Sequence, residues 1–271
     1  MINKIIHYSD LHLKLYKQHK RDRKILEEAL VQWSEAKPDR IVFTGDLVHS
    51  KNQMTPELIN LMSWWMTETA KICKCIYLIG NHDFLENNMD RMDAITPIVD
   101  SLNNPNITYY KDRGCYEDDN ILWCVYSLTS HNDRPNIPEE TNKYKIGIFH
   151  GPIEGSTNDF GFVFSDGYSV DRFEGCDVVL AGDIHKRQTY KIPGNKKAYM
   201  VGSTIIQNFG ESVKNHGYAI YDVKKEKYKF YSLKNNQPYL SFRITDIEDL
   251  EEENDIRQAL PIQNHVLKQY T

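Results

Sequence analysis

Five short apolar runs in this chain stop abruptly at side chains that bind metals or carry protons, and that recurrence limits the fold more than any other feature. The clearest is Cys75-Ile76-Tyr77-Leu78-Ile79, followed at once by Gly80-Asn81-His82-Asp83. Such a run suits a strand covered on both faces, and the glycine lets the backbone turn tightly where the strand ends. The pattern recurs as Ile5-Ile6-His7-Tyr8-Ser9 before Asp10-Leu11-His12, and as Arg40-Ile41-Val42-Phe43-Thr44 before Gly45-Asp46. It appears again as Ile146-Gly147-Ile148-Phe149 before His150-Gly151, and as Val178-Val179-Leu180-Ala181 before Gly182-Asp183-Ile184-His185. Chemistry collects at strand ends in open α/β sheets, so five strands are predicted to deliver Asp, His and Asn to one rim.

Between these runs the periodicity changes. In residues 21–35, Ile25, Leu26, Ala29, Leu30 and Trp33 recur at spacings of three and four, which predicts an amphipathic helix ended by Lys37-Pro38-Asp39. A second helix is expected from Pro56, favoured in a first turn, to about residue 72, with Trp64 and Trp65 read as core. Strand and helix alternating through short loops predict a right-handed parallel arrangement. From residue 107 onward, strands at 121–126, 145–149, 178–181, 198–201, 217–222 and 227–233 follow with few helical patterns between them. They predict a second, mixed sheet packed on the first, giving an α/β fold of two packed mixed β-sheets flanked by helices. Residues 151–176 read as a long loop with a short helix near 169–173, of a length that tends to be functional. The expected boundary lies at 234–238, between a main domain at 1–235 and an acidic tail at 236–271 that could hold a strand at 239–244 and a helix at 246–260.

Composition narrows the class. The formal charge is −5, and residues 236–271 carry seven Asp/Glu against three Lys/Arg, so the first 235 residues are nearly neutral. That excludes nucleic-acid binding by sheer positive charge, but bound divalent ions would make a site positive without a basic patch. The five cysteines are odd in number and scattered, which favours reduced thiols over a disulfide framework; Cys73-Lys74-Cys75 lacks the second pair a structural zinc site needs. No apolar run approaches the length of a membrane span and no signal peptide opens the chain, so a soluble intracellular protein with no membrane association is expected.

The candidate site is Asp10, His12, Asp46, Asn81, His150, Asp183 and His185. Oxygen and imidazole donors without thiolate select Mn²⁺, Fe²⁺ or Zn²⁺ over Ca²⁺. Seven ligands are too many for one ion, whereas two ions about 3.5–4 Å apart, sharing one carboxylate, stabilise both the attacking and the leaving oxygen in phosphoryl chemistry. Asp46 is the natural shared ligand. His82 points away from the ion its neighbour Asn81 would bind and is the expected general acid, with Asp83 expected to orient it.

Each piece is frequent by chance, but the ordered set of Asp-x-His, Gly-Asp, Gly-Asn-His-Asp, His-Gly and Gly-Asp-x-His resembles the calcineurin-like metallophosphoesterase superfamily over about residues 4–233. Gly45-Asp46-Leu47-Val48-His49-Ser50, Asp93-Ala94-Ile95-Thr96-Pro97-Ile98, Tyr199-Met200-Val201-Gly202-Ser203 and Phe209-Gly210-Glu211 are similar to its SbcD and meiotic-recombination nuclease branch, especially phage or viral recombination endonucleases. The resemblance implies a four-layer αββα fold and a Mn²⁺-dependent DNA nuclease of recombination and repair, a double-strand exonuclease and single-strand endonuclease, with Mg²⁺, Fe²⁺ or Zn²⁺ as alternative ions. It also implies a homodimer beside an SbcC-type coiled-coil ATPase, in the cytoplasm or, for a phage member, the host cytoplasm. Carried over by position, Asp10, His12, Asp46 and His185 hold one ion; Asp46, Asn81, His150 and Asp183 hold the other; His82 is the catalytic histidine; and His49 matches a position associated with exonuclease action. Two departures stand out. Cellular members carry Gly-His-x-His where this chain has Gly182-Asp183-Ile184-His185, and they continue past Thr271 into a DNA-capping and ATPase-binding region, of which the acidic tail would be a truncated start.

A rival enzyme reading is a small-molecule or nucleotide metallophosphodiesterase of the same superfamily, which needs a closed pocket. DNA instead needs an open groove with Lys/Arg contacts to phosphate, for which Lys14, Lys17, Lys20 and Arg21 form the best cluster. A non-catalytic scaffold would have lost ligands, and none is lost here.

Overall fold

The computed structural model describes residues 1–130, 134–234 and 239. The first half of the chain alternates as read: β1 (Lys4–Tyr8), α1 (Tyr16–Ala36), β2 (Arg40–Thr44), α2 (Pro56–Ile72), β3 (Lys74–Leu78), α3 (Thr96–Leu102) and β4 (Ile107–Tyr110). Then come β5 (Gly114–Asp118), β6 (Ile121–Tyr126), β7 (Tyr144–His150), the two-residue strands β8 (Ser156–Thr157) and β9 (Val163–Phe164), β10 (Val178–Gly182), β11 (Gln188–Ile192), β12 (Lys196–Met200), β13 (Gly217–Asp222) and β14 (Lys227–Ser232).

Two mixed six-stranded sheets result, ordered β14-β13-β1-β2-β3-β4 and β11-β12-β10-β7-β6-β5. The strands β1, β2, β3 and β4 run parallel, as do β6, β7, β10 and β12, so the strands that carry the motifs all end on one rim. Side-chain alternation explains why these runs are apolar throughout. Ile5, Val42 and Ile76 point into the layer between the sheets, against Trp123, Ile148 and Leu180. Ile6, Ile41 and Cys75 point the other way, onto the faces of α1 and α2. Trp33 and Trp65 meet there around Tyr8, whose hydroxyl accepts from Trp65 Nε1 at 3.1 Å, so Trp65 is core as expected. Trp64 is half-buried, with the Arg23 guanidinium 4.1 Å over its ring.

Several expectations shift. The strands at 217–222 and 227–232 join the first sheet through antiparallel pairing of β13 with β1, not the second sheet as predicted. Nothing local marks that choice, which rests on long-range register. The first helix begins at Tyr16, five residues before the predicted 21–35 segment, because its opening turns bury polar side chains that carry no apolar period: His19, Arg21 and Asp22. The short α3 was missed because its start is fixed by a side chain: Asp93 accepts from the N–H groups of Ile95 and Thr96 and from the Thr96 hydroxyl. The 151–176 segment folds over the outer face of the second sheet, with its short helix at Val170–Phe173 and Phe173 buried against Tyr126 and Phe149. All five cysteines are free. Among the described residues no helix is long and apolar enough to cross a membrane. The acidic tail, with the strand at 239–244 and helix at 246–260, lies outside the described residues except for Tyr239. That residue's ring sits under Lys14 and Arg21 and beside Phe209.

Candidate metal centre

The five strand ends meet because their loops pair with one another. The Asp10 N–H donates to the Gly45 carbonyl and the His12 N–H to the Asp46 carbonyl, both at 3.0 Å, and Leu13 bridges Val48. Asp10, His12, Asp46 and Asp183 all adopt left-handed backbone, with φ of 53°, 43°, 63° and 99°. Such residues cost of order 1–3 kcal/mol each and persist where surrounding structure over-determines them, so four in one loop cluster mark a site held against strain. Two glycines permit the close approach. A Cβ on Gly45 would lie 2.2 Å from His150 Nδ1, and one on Gly80 would lie 2.2 Å from both the backbone nitrogen and Oδ1 of Asp46.

The geometry is that of converging lone pairs. Asp46 Oδ2 lies 3.4 Å from His12 Nε2 and 3.4 Å from His150 Nε2, between two groups of donors. On one side His185 Nε2 faces His12 Nε2 at 3.0 Å, with Asp10 Oδ1 3.8 Å from the latter. On the other, His150 Nε2 lies 3.0 Å from Asn81 Oδ1 and 3.7 Å from Asp183 Oδ1. Two of the imidazoles are oriented from behind: His150 Nδ1 donates to the Thr44 carbonyl and His185 Nδ1 to Glu211 Oε1, each at 2.6 Å. With Nδ1 donating, each Nε2 points inward, where it either carries a proton, as the raised pKa values of His150 and His185 favour in the metal-free chain, or offers its lone pair to a metal. Buried acceptors facing acceptors need a cation. His12 Nδ1 is also buried without a hydrogen-bond partner among the described residues. Among the described residues three groups could hold an ion: Asp10 with Asp46 and His150, Asp10 with His12 and His185, and His12 with His49 and His82.

The electrostatics follow from burial and crowding. Burial alone would raise the Asp46 carboxyl, but attraction to His150, His12 and His82 outweighs it and holds the group below the usual carboxylate range. Burial pushes Asp183 up to about 6 against the pull of His150. Burial drives His12 well below its ordinary value, whereas for His185 the hydrogen bond to Glu211 overcomes burial and raises it.

The structure brings Asp10, His12, Asp46, Asn81, His150, Asp183 and His185 together at this rim. His82 stands beside them, its ring centroid 4.6 Å from that of His12. Its backbone N–H donates to Asp46 Oδ1 at 2.9 Å and its Nδ1 to the His49 carbonyl at 2.7 Å. The exposed His49 ring stacks on that of His82 at 5.8 Å. Asp83 does not orient His82. Fully buried beneath the loops, it accepts four backbone N–H groups: Gly80 and Asp46 on Oδ2, Leu47 and Val48 on Oδ1. Adjacent residues on this turn point to opposite sides of the backbone, so the carboxylate braces the loops while a main-chain carbonyl orients the imidazole. Glu211, behind His185, was noticed in the sequence only within a similar segment; its distance from the strand motifs hid its pairing.

The basic cluster divides. Lys14 reaches the rim of the site and donates from Nζ to the Gln207 carbonyl at 2.5 Å. Lys17 is exposed along the adjoining groove and Lys20 is exposed on α1. Arg21 is not a phosphate contact: it is buried, its Nη2 2.8 Å from Asp22 Oδ1, because the helix turns it inward over the Tyr239 ring.

Two stacked mixed sheets with an Asp/His/Asn rim define a metal-dependent phosphoesterase. Residues 3–187 match the family of calcineurin-like phosphoesterases, and the chain belongs to that family, whose members hydrolyse phosphoesters with two divalent metals. Uncharacterized protein R555 of Acanthamoeba polyphaga mimivirus is 28% identical over 264 residues, which cover 92% of this chain and 19% of that protein; the chain thus spans about a fifth of that relative's length. Among solved structures, TT1561 of Thermus thermophilus superposes with a TM-score of 0.56 at 10% identity, over 86% of this chain and 100% of that one, a likeness of fold alone. A dimetal phosphatase from Danio rerio gives a TM-score of 0.49 at 10% identity, over 82% of this chain and 93% of that one.

Proposed function

We propose that this chain is a two-metal phosphodiesterase that cleaves DNA as exonuclease and endonuclease in recombination or repair, in the manner of the SbcD branch. The observation that carries the reading is the shape of the site. His12, Asp46, His82, Asp183 and His185 line a shallow concavity of about 190 Å³, with Lys14 on its rim. Pockets that enclose a small molecule hold about 300–1,000 Å³, so an open concavity of this size favours a substrate that extends past it, such as a polymer.

In this reading Asp10, His12, Asp46 and His185 hold one ion, and Asp46, Asn81, His150 and Asp183 the other, with manganese taken from the branch the motifs resemble among the ions that suit mixed carboxylate and imidazole donors. Bound there, the pair supplies an activated water nucleophile and neutralises the charge on the non-bridging phosphate oxygens. The chain's own residues do the rest. Thr44 and Glu211 keep the Nε2 lone pairs of His150 and His185 aimed inward. With Nδ1 donating to the His49 carbonyl, His82 carries its second proton on Nε2 and releases it to the departing sugar oxygen. Its link to the Asp46 carboxylate through the backbone N–H ties that acid to the shared ligand. Asp183, a carboxylate where cellular members of the branch have imidazole, adds negative charge to its ion. A second copy of the chain and a coiled-coil ATPase of the SbcC type are the partners that accompany this reading.

The test is Mn²⁺-dependent cleavage of end-labelled duplex and circular single-stranded DNA, beside a small chromogenic phosphodiester. The expected result is DNA cleavage that needs Mn²⁺ and falls by about 10²–10⁴-fold in His82→Gln. Hydrolysis of the small diester alone would overturn the nuclease reading and return a small-molecule phosphodiesterase.

A further inference from the structure

A second concavity, of about 210 Å³, opens beside the metal centre and shares Asp183, His185 and Asn208 with it. Two aromatic rings stand among its other walls, Phe160 from the turn joining β8 and β9 and Phe164 from β9 itself, beside the 208–211 loop. Phe160 is 78% exposed, and Phe162, Val163 and Phe209 are exposed as well, so apolar surface gathers around this wall. Phe160 is nevertheless seated. Its ring lies so close over Gly210 that a Cβ there would stand 1.8 Å from Phe160 Cζ, so a larger residue at 210 would push the ring aside. The turn itself is closed by hydrogen bonds between Asn158 and Phe162 in both directions, and Asp159 Oδ2 accepts the Ser212 N–H at 3.1 Å, tying the turn to the facing loop. Phe162 packs edge-on against Phe164.

We infer that this aromatic wall is a stacking platform for one unpaired base of a nucleic-acid strand whose phosphate lies over the metal centre. The inference rests on the nuclease reading above and adds to it a subsite for one base of the strand. Three observations converge. The wall adjoins the centre through shared residues, so what stacks on it is attached to the group that reacts. Lys186 lines the same concavity beside Asp159, Asp183 and Glu211 and donates to Thr157 Oγ1 at 3.1 Å, so the wall carries no positive excess for a phosphate and offers a neutral base its apolar face. A held, exposed ring offers a π-face that any base can cover, whereas a base inside a duplex has no free face to offer.

The measurement is fluorescence anisotropy of labelled oligothymidine, the same strand made fully abasic, and a blunt duplex. It uses the full chain carrying His82→Gln, so that the strands stay intact, in the presence of Mn²⁺. Oligothymidine is expected to bind roughly 10- to 100-fold more tightly than the abasic strand. That preference should vanish in Phe160→Ala, persist in Phe160→Trp, and weaken in Gly210→Ala, which displaces the ring without removing it. Equal binding of thymidine and abasic strands, or a preference unchanged in Phe160→Ala, would overturn the platform and leave the nuclease reading intact. If no strand bound while the unsubstituted chain hydrolysed the small diester, both would fall. A change of oligomeric state in Phe160→Ala, with strand binding unaltered, would also overturn the platform and assign the wall to a second copy of the chain.

Discussion

Asp83→Asn tests whether the buried carboxylate braces the loops or serves the catalytic histidine. Both Asp83 oxygens are double acceptors, at 2.9 and 3.1 Å from Gly80 and Asp46 and at 2.9 and 3.1 Å from Leu47 and Val48. Asparagine keeps one oxygen and turns an NH₂ toward two N–H donors, leaving them unsatisfied at about 1–3 kcal/mol each. One term opposes the loss. Burial and the nearby Asp46 charge push the Asp83 carboxyl up to about 7, so the uncharged amide is spared part of the cost of burying a carboxylate. The net expectation is a loss of about 2–3 kcal/mol, which for a chain of this size lowers Tm by roughly 5–10 °C in calorimetric melts. Metal affinity should fall with it, because the same N–H groups set the position of Asp46. A Tm within about 1 °C of the parent, together with a loss of activity, would refute the brace and restore Asp83 as a partner of His82.

Two further outcomes are expected. Glu211→Gln removes the charge behind His185 while keeping an acceptor for its Nδ1–H, and should weaken Mn²⁺ binding by about 10- to 100-fold in titration calorimetry; an unchanged affinity would remove Glu211 from the site. Asp93 is buried, which alone would raise its carboxyl, but bonds from Thr96, Lys111 and Tyr109 outweigh burial and hold it below its ordinary 3.8. Its contribution is therefore present above that value and lost as pH falls through the depressed native one. Urea unfolding should show Asp93→Asn about 2 kcal/mol less stable than the parent at neutral pH, with the gap closing below pH about 4; a gap that widens on acidification would contradict this.

The strand motifs were legible because each is local. A buried parallel strand must be apolar on both faces, and a polar group at its end can only be at the rim, so Asp10, Asp46, Asn81, His150 and Asp183 declare themselves from neighbouring residues alone. The same locality explains the misreadings. Arg21 looked like a surface cation beside Lys17 and Lys20 because only the packing of α1 against Asp22 and Tyr239 turns it inward. Strands at 217–222 and 227–232 carry no mark of the sheet they join, since pairing of Ile6 with Ile220 is decided over more than two hundred residues of intervening chain.

Local chemistry along the chain was enough to specify the set of donors and the order of strands that present them, since side-chain alternation and turn geometry act over a few residues. The groups that support that set emerged only on folding: the Thr44 carbonyl behind His150, Glu211 behind His185, the His49 carbonyl behind His82, and Asp83 beneath the loops. Those partners are backbone groups, or side chains remote in sequence. A hydrogen bond is specified by distance and angle in space, and no periodicity along a chain records it.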